Sequence, residues 1–287
     1  MTAGARYTLA ALLFVVCWAS GFVAIKLALP DCPPFILMSS RFLIAGGAIL
    51  LAARARGLAW PRGWTEWRPI LAVGTLTNAC YLSLTAVALQ HISAGMGSVL
   101  ASANPVVLAA VAPWFLGERL TLARAVGVAT SYGGVVLVMW NRIGPDNEGW
   151  AMEMFLAVVV FFVAGTILFK RTPPGPDLLV VHGGQLFVGG AVLAPVALSL
   201  ESLARVEWTW RFVVGQSVLI VVVSGFAMLL WLWLLREGDV ARAGAWFFLN
   251  PIVGLAMGAA LLGEPLGLLD LVGAGAVGLG IWMAQRG

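Results

Sequence analysis

The chain has 287 residues, of which 61% are hydrophobic and 10% are charged, with a mean hydropathy of +0.96 and a net charge of +4. A soluble domain carries about 25% charged residues, so this composition excludes a water-soluble globular protein. Blocks without Asp, Glu, Lys or Arg approach the roughly 20 residues that a bilayer-spanning helix requires, as at 7–25, 178–200, 212–235 and 243–263. The sequence therefore predicts a helical membrane protein that crosses the bilayer many times.

Ten helices account for most of the chain. Bounded by Pro, Gly and clusters of charge, the predicted spans are 7–28, 34–54, 67–90, 92–115, 122–140, 149–170, 177–199, 211–236, 240–262 and 266–285. The first apolar run has no A-x-A-like cleavage site, which favours a retained helix over a removable signal peptide. Cys17 and Cys80 fall within apolar runs and only Cys32 lies in a loop, so no disulfide is expected.

The placement of the basic residues predicts the orientation of these helices. With the N-terminus in the cytoplasm, the inner face holds twelve of them, at Arg6, Arg54, Arg56, Arg62, Arg68, Arg119, Arg124, Lys170, Arg171, Arg236, Arg242 and Arg286. The outer face holds three, Arg142, Arg205 and Arg211, while Lys26 and Arg41 lie within helices. Both termini are therefore predicted to be cytoplasmic. The pI near 9.3 reflects this topology and contact with anionic lipid, and no nucleic-acid partner is expected.

A motif in the fourth predicted helix recurs in the ninth. Asn104-Pro105 followed by Gly117-Glu118 reappears as Asn250-Pro251 followed by Gly263-Glu264, at an offset of 146 residues (250 − 104 and 264 − 118). Near the start of each half, Trp18-x-x-Gly21-x-x-x-x-Lys26 aligns with Phe162-x-x-Gly165-x-x-x-x-Lys170 at an offset of 144. Five helices thus repeat once, over 1–142 and 143–287. Because five is an odd number, the second copy enters the membrane from the opposite side and the repeats are inverted, as in transporters that work by alternating access.

Two five-helix repeats that each carry Asn-Pro, then Gly-Glu, then a Gly-spaced apolar helix resemble the EamA family of the drug/metabolite transporter superfamily. The resemblance covers nearly the whole chain. It implies an all-α membrane protein with ten transmembrane helices, a central cavity and transport of small metabolites, commonly as export across the bacterial inner membrane. The Trp-rich first helix and the short outer loops are similar to aromatic amino acid exporters of the YddG type. Fold analogy alone does not fix the cargo.

Two prolines and one arginine are unusual at membrane depth. Pro105 and Pro251 each remove a backbone donor inside a helix, so Asn104-Pro105 and Asn250-Pro251 are interpreted either as gating or substrate-contacting kinks or as structural kinks satisfied by neighbouring helices. Arg41 lies about 10 Å below the start of its helix. It is a functional candidate with a substrate carboxylate as partner, the alternative being snorkelling or pairing with helix-end carbonyls. Lys26 and Lys170 are expected to snorkel.

Polar and aromatic side chains inside apolar helices are further candidates for substrate contact. They are Trp18, Asn78, Tyr81, Ser98, Ser102, Phe162, Thr166 and Trp246. For the serines and Thr166, the alternative is a role in holding helices together. Trp18 and Trp246 lie deeper than the interfacial tryptophans and are predicted to line a cavity that accepts an apolar or aromatic side chain.

The chemistry that the sequence lacks is also informative. All thirteen Asp and Glu fall at helix ends or in loops, and the candidate histidine, His182, lies about one turn inside its helix. Proton-coupled pumps usually carry a mid-membrane chain of Asp, Glu or His. Export without obligate proton coupling is therefore predicted. No P-loop, metalloprotease or hydrolase motif is present, so neither an ATP-driven pump nor an enzyme is expected.

The predicted cargo is an amino acid with an aromatic or apolar side chain. The alternatives are nucleobase-like metabolites or cationic drugs, and a non-transporting intramembrane enzyme. Partners are the small-molecule substrate and the lipid bilayer, with no cofactor and no metal. The oligomeric state stays open, and a monomer is compatible with the sequence.

Overall fold

The computed structural model describes residues 3–117, 121–144, 147–172, 175–238 and 243–286. Within these ranges the chain is helical and forms no strand, apart from a single bridge between Gly144 and Asn147. Five charged residues named or counted above lie outside the described residues, namely Glu118, Arg119, Asp146, Asp239 and Arg242.

The helices follow the predicted order, and their ends lie within a few residues of the predicted ones. The first half of the chain contains α1 (Ala3–Ala28), α2 (Pro34–Ala55), α3 (Trp64–Ala88), α4 (Ala94–Ala101 and Ala103–Leu116) and α5 (Leu122–Arg142). The second half contains α6 (Gly149–Arg171), α7 (Leu178–Leu200), α8 (Trp210–Glu237), α9 (a 3₁₀ segment at Ala245–Leu249 continued by Asn250–Leu262) and α10 (Leu268–Arg286).

Seven of these helices are long and apolar enough to cross a membrane. They are Gly4–Ala28, Pro34–Ala55, Trp64–Ala88, Ala94–Ala112, Gly149–Arg171, Leu178–Leu200 and Trp210–Glu237. Two further apolar helices, Asn250–Leu262 and Leu268–Gly280, are shorter within the described residues. The chain is therefore a multi-pass membrane protein, while ten crossings and the orientation of the termini stay predictions.

Helices α3 and α8 each contain a π-helical segment, which the sequence pattern did not predict. The segments are Gly74–Leu82 and Val218–Ala227, and their first residues are related by the same offset of 144 residues (218 − 74) that relates the two halves of the sequence. π-helical turns are rare and frequently lie at functional sites. Their equivalent placement directs attention to the middle of α3 and α8.

The two halves of the chain interlock through helix pairs that each take one member from either half. α2 packs along α7 and α5 packs along α10, while α1 contacts α8 and α9, and α6 contacts α3 and α4. Close approach depends on missing side chains, because a Cβ at Gly46 would lie 2.5 Å from Phe187 N and one at Gly190 would lie 2.8 Å from Leu43 N. Small residues at such crossings are typical of membrane helices.

Candidate functional site

Seven aromatic side chains meet in the middle of the bundle and form the central aromatic cluster. They are Phe14 and Trp18 of α1, Tyr81 of α3, Phe155 and Phe162 of α6, Trp231 of α8 and Phe247 of α9. Ring centroids of Trp18 and Phe162 are 6.1 Å apart, and those of Tyr81 and Phe162 are 5.0 Å apart. All seven side chains are buried. The cluster thus joins helices from both halves of the chain around the predicted residues Trp18, Tyr81 and Phe162.

The ring that α9 contributes differs from the predicted one by one residue. Trp246 is half-buried and packs at the edge of the core, whereas Phe247 contacts Phe14, with ring centroids 5.2 Å apart. The reason is local, because residues 245–249 form a 3₁₀ segment, in which the tighter turn changes which side chain faces inward. Phe14 was also missed, although its spacing of four residues from Trp18 is the signal for a shared helix face.

The two Asn-Pro motifs lie at interruptions of their helices. α4 is broken at Ser102, three residues before Pro105, and α9 changes from 3₁₀ to α-helix at Asn250, directly before Pro251. Asn104 Nδ2 donates to Tyr81 OH at 2.8 Å, and Asn250 Nδ2 donates to Ser98 O at 3.2 Å. The Oδ1 atom of each asparagine is buried and has no partner among the described residues. Both therefore present a free acceptor inside the bundle.

The remaining small polar candidates bond mainly to backbone carbonyls. Ser98 Oγ donates to Gly95 O at 2.6 Å and Ser102 Oγ donates to Ser98 O at 3.3 Å. Asn78 Nδ2 donates to Gln185 O at 3.0 Å, which ties α3 to α7. Thr166 is buried beside the cluster on α6. The hydroxyls of Ser98 and Ser102 are thus satisfied within their own helix, and Asn78 holds two helices together.

Arg41 is fully buried between α2 and α8. Its Nε donates to Ser224 Oγ at 2.7 Å, its Nη1 lies 3.5 Å from Met38 Sδ, and its guanidinium carbon lies 5.1 Å from the centre of the Phe42 ring. Its Nη2 has no partner, and it forms no ion pair with a carboxylate among the described residues. Arg41 therefore neither snorkels nor pairs with helix-end carbonyls. It places an uncompensated donor at membrane depth, which is costly unless a ligand satisfies it.

One end of the bundle, which we name the Lys26 end, is held by charged groups. Lys26 Nζ donates to Leu89 O at 2.9 Å and to Ile92 O at 2.8 Å, so carbonyls at the end of α3 hold a side chain that was expected to snorkel. Arg142 pairs with Asp270 through two hydrogen bonds of 2.7 Å each, and both side chains are almost fully buried. A bidentate pair of this kind fixes α5 against α10.

The Gly-Glu motif closes the same end. Gly263 ends α9 in the left-handed conformation (φ +69°), which glycine adopts without strain. The next residue, Glu264, accepts hydrogen bonds from Ala94 N at 2.6 Å and Gly95 N at 2.8 Å. A carboxylate at a helix N-terminus is favoured by the free amide groups and the helix dipole. Glu264 therefore joins the end of α9 to the start of α4.

The opposite end, the Lys170 end, repeats the lysine contact and adds a deep cavity. Lys170 Nζ donates to Leu235 O and to Gly238 O, both at 2.6 Å. Beside it lies a cavity of about 430 Å³ between α3, α6, α7 and α8, lined among others by Glu66, Ile70, Val73, Lys170, Gln185 and Arg236. Gln185 lies seven residues into α7, so the cavity reaches about 10 Å into the bundle.

No site for a metal is present among the described residues, since no group of three or more His, Cys, Asp or Glu lies together. Cys17, Cys32 and Cys80 are free thiols. Burial raises the pKa of the Cys32 thiol to about 12, with a smaller contribution from the nearby carboxylates of Glu201 and Asp31. Cys32 is therefore an unreactive thiol at neutral pH.

Comparison with known families gives one match along most of the chain. The EamA-like transporter family matches twice, over residues 5–140 and 149–285. One solved crystal structure has a TM-score of 0.74 at 20% identity and covers 97% of both chains. At this identity the likeness concerns the fold.

Curated relatives align over almost their full length. The chain is 25% identical over 271 residues to the "Uncharacterized transporter YvbV" of Bacillus subtilis, covering 93% of this chain and 88% of the relative. It is 27% identical to a "Probable amino-acid metabolite efflux pump" of Escherichia coli, covering 95% and 92%. It is 28% identical to a "Probable terminal-alkyne amino-acid exporter" of Streptantibioticus cattleyicolor, covering 96% and 92%.

Proposed function

This chain belongs to the EamA-like transporter family, and from that premise we propose that it exports aromatic or other apolar amino acids across the bacterial inner membrane by alternating access. It is a transporter and not an enzyme. Two relatives are named as exporters of amino acids or their metabolites, which supports this class of cargo.

The observation that carries the proposal is the central aromatic cluster. Its rings come from both halves of the chain, as a substrate site at the interface of two repeats requires. Trp18 Nε1 is buried without a partner, and so are the Oδ1 atoms of Asn104 and Asn250. An apolar wall with a few convergent polar atoms is the usual composition of a small-molecule site. An aromatic side chain that separates these rings can stack on them and satisfy the polar atoms.

Arg41 indicates that the cargo carries a carboxylate group. A carboxylate is the natural ligand for a guanidinium nitrogen that has no other acceptor. Arg41 lies on α2 and bonds to Ser224 of α8, so a carboxylate bound to it would lie where the two halves of the chain meet. A cationic drug would find no carboxylate there, which favours an amino acid over that alternative.

The proposed transport cycle rests on the predicted inverted repeats of 1–142 and 143–287. Ten crossings with both termini in the cytoplasm would put the Lys26 end outside and the Lys170 end inside. The interruptions at Asn104-Pro105 and Asn250-Pro251 supply bending points on α4 and α9. We propose that the substrate gradient drives the cycle without obligate proton coupling. Every described Asp and Glu lies near a helix end or in a loop, and the buried His182 belongs to no group of three or more His, Cys, Asp or Glu among the described residues, as a proton relay would require.

Efflux of labelled phenylalanine from proteoliposomes tests this function. Trp18→Ala removes a cluster ring and should lower the rate at least tenfold, whereas Trp140→Ala, at an exposed position, should leave it unchanged. Arg41→Ala should also reduce efflux without loss of folded protein. Wild-type efflux rates for Trp18→Ala and Arg41→Ala, as for the control Trp140→Ala, would refute the proposed site. Inhibition by nucleobases or cationic drugs but not by amino acids would overturn the proposed amino acid cargo. A strict requirement for a pH gradient would overturn the proposal that the substrate gradient drives transport.

A further inference from the structure

A second buried polar side chain, His182, reaches the same residue as Arg41. His182 lies on α7, and its Nε2 is 2.6 Å from Ser224 O. A carbonyl oxygen can only accept, so Nε2 carries the proton and the Nδ1 of the neutral ring is an acceptor. This Nδ1 is buried and has no partner among the described residues. The structure thus orients a lone pair inside the bundle and leaves it unused.

Ser224 is the shared partner of two side chains, one with an unused acceptor and one with an unused donor. Its backbone oxygen binds His182 while its side-chain oxygen binds Arg41 Nε, and both of its partners are about 1% exposed. Arg41 Nη2 is the donor without an acceptor, and His182 Nδ1 is the acceptor without a donor. An amino acid headgroup carries the complementary pair, because its carboxylate accepts and its ammonium group donates.

The position of Ser224 along α8 connects this pair to the central aromatic cluster. Trp231, a member of the cluster, follows Ser224 by seven residues, and both side chains are buried. Part of the π-helical segment lies between the two residues, and at the rise of a helix they are separated by about 10 Å along α8. A ligand whose headgroup bonds beside Ser224 can therefore extend along α8 toward the rings.

The pair occurs once in the molecule and has no counterpart in the other half. At the offset of 144 residues, Arg41 corresponds to Gln185, His182 to Met38 and Ser224 to Cys80. None of these three counterparts provides a charged group or an imidazole. A single headgroup site in a pseudo-symmetric bundle would fix one orientation of the substrate.

We propose that His182 is a specificity-determining residue, which accepts a hydrogen bond from the ammonium group of the substrate while Arg41 binds its carboxylate. This inference rests on the proposed export of amino acids and names the residues that distinguish an amino acid from a simple acid or amine. The hydrogen bond from Nε2 to the π-helical segment of α8 holds the imidazole in the required orientation.

Competition against labelled phenylalanine in proteoliposomes tests the role of His182. The competitors are phenylalanine, 3-phenylpropionate, which lacks the amine, and phenethylamine, which lacks the carboxylate. In the wild type, phenylalanine should compete at least tenfold better than either analogue. His182→Leu should reduce the preference for phenylalanine over 3-phenylpropionate about tenfold and leave the preference over phenethylamine unchanged. His182→Gln, which retains an acceptor, should restore it, and His91→Leu at the Lys26 end is the matched control.

The outcomes separate this inference from the function on which it rests. If the wild type moves no amino acid, the proposed function fails. If it transports phenylalanine and 3-phenylpropionate competes equally well, His182 has no such role, whatever the variants do. An unchanged preference in His182→Leu has the same meaning. Should that variant fail to assemble, His182→Met, which carries the residue found at the repeat counterpart, is judged by the same criterion.

Discussion

The two ends of the bundle share one kind of contact, a lysine that donates to two backbone carbonyls, but they differ in the residues around it. Lys26 and Lys170 each donate to two carbonyls at or just beyond the end of another helix in the same half of the chain. Their partners are related by 146 residues (235 − 89 and 238 − 92). At the Lys26 end, the Arg142–Asp270 pair and the Glu264 contact to α4 are added. At the Lys170 end, a cavity enters between the helices.

A depression of about 520 Å³ also exists at the Lys26 end, but it is of a different kind. Loop residues and the last turns of helices line it, among them Gln90, Asn147 and Pro265. Its lining stays at helix ends and loops, whereas the lining of the cavity at the Lys170 end continues along α7 to Gln185. We interpret this difference as one state of the proposed alternating cycle, closed at the Lys26 end and accessible from the Lys170 end.

The largest effect is expected where α4 and α9 meet most closely. A Cβ at Gly254 would overlap the side chain of Ser98, so Gly254→Ala should destabilise the closed Lys26 end by about 1–3 kcal/mol. Thermal unfolding in detergent measures the loss. Gly275→Ala is the control, because no atom lies within 4 Å of its Cβ position, and it should be neutral or slightly stabilising. Equal midpoints for the two variants would show that this crossing is not tightly packed.

Glu264→Gln is expected to have the next largest effect. It retains the shape but loses the charge, and charge-assisted hydrogen bonds exceed neutral ones by about 1–1.5 kcal/mol. A cysteine at Ser98, which is fully buried, should then react with a maleimide about tenfold faster, after subtraction of labelling at the native cysteines. Glu153→Gln makes the same charge change at an exposed position at the start of α6 and should have no effect. If both variants label alike, the carboxylate does not hold this end closed.

The two lysines should act in opposite directions. Lys26→Met removes two hydrogen bonds at the closed end and should raise labelling of the same cysteine roughly fivefold, for a loss of about 1 kcal/mol. Lys170→Met removes the equivalent bonds at the accessible end and should leave that labelling unchanged or lower it. An increase in both variants would mean that the lysines stabilise the bundle as a whole and do not bias its two ends.

The smallest effect is expected for the exposed pair of Glu148 and His91. A hydrogen bond from His91, with a second from Trp150, lowers the pKa of the Glu148 carboxyl below its ordinary value. Because the folded pKa is depressed, the stabilisation is complete above the ordinary pKa and is lost as the pH falls through the depressed one. Glu148→Gln should therefore lower the unfolding midpoint slightly at pH 7 and match the wild type in strong acid. A constant difference at all pH values would contradict this assignment.

The sequence predicted most of the fold because hydrophobic length and charge placement determine where membrane helices begin and end. Trp18 and Phe162 could be predicted to lie in the cluster because both are on regular α-helices and are related by the repeat offset, and Tyr81 because it is an aromatic residue with a polar group inside an apolar run. Phe247 was not predicted, since the 3₁₀ segment of α9 changes which residue faces the cluster. The role of Ser224 and His182 depends on contacts between α2, α7 and α8. No periodicity within one helix carries that information.

The π-helical segments also set the rotation, about the helix axis, of the part of α3 and of α8 that follows them. A π turn accommodates one residue more than an α turn, so a helix that lost its segment would rotate everything beyond it by about 100° around its axis. Tyr81 lies within one segment, and Trp231 follows the other. Such a change would swing a ring of the cluster away from the centre with little displacement of the helix axis. Rotation of α3 and α8 about their own axes would thus be enough to open space within the central aromatic cluster.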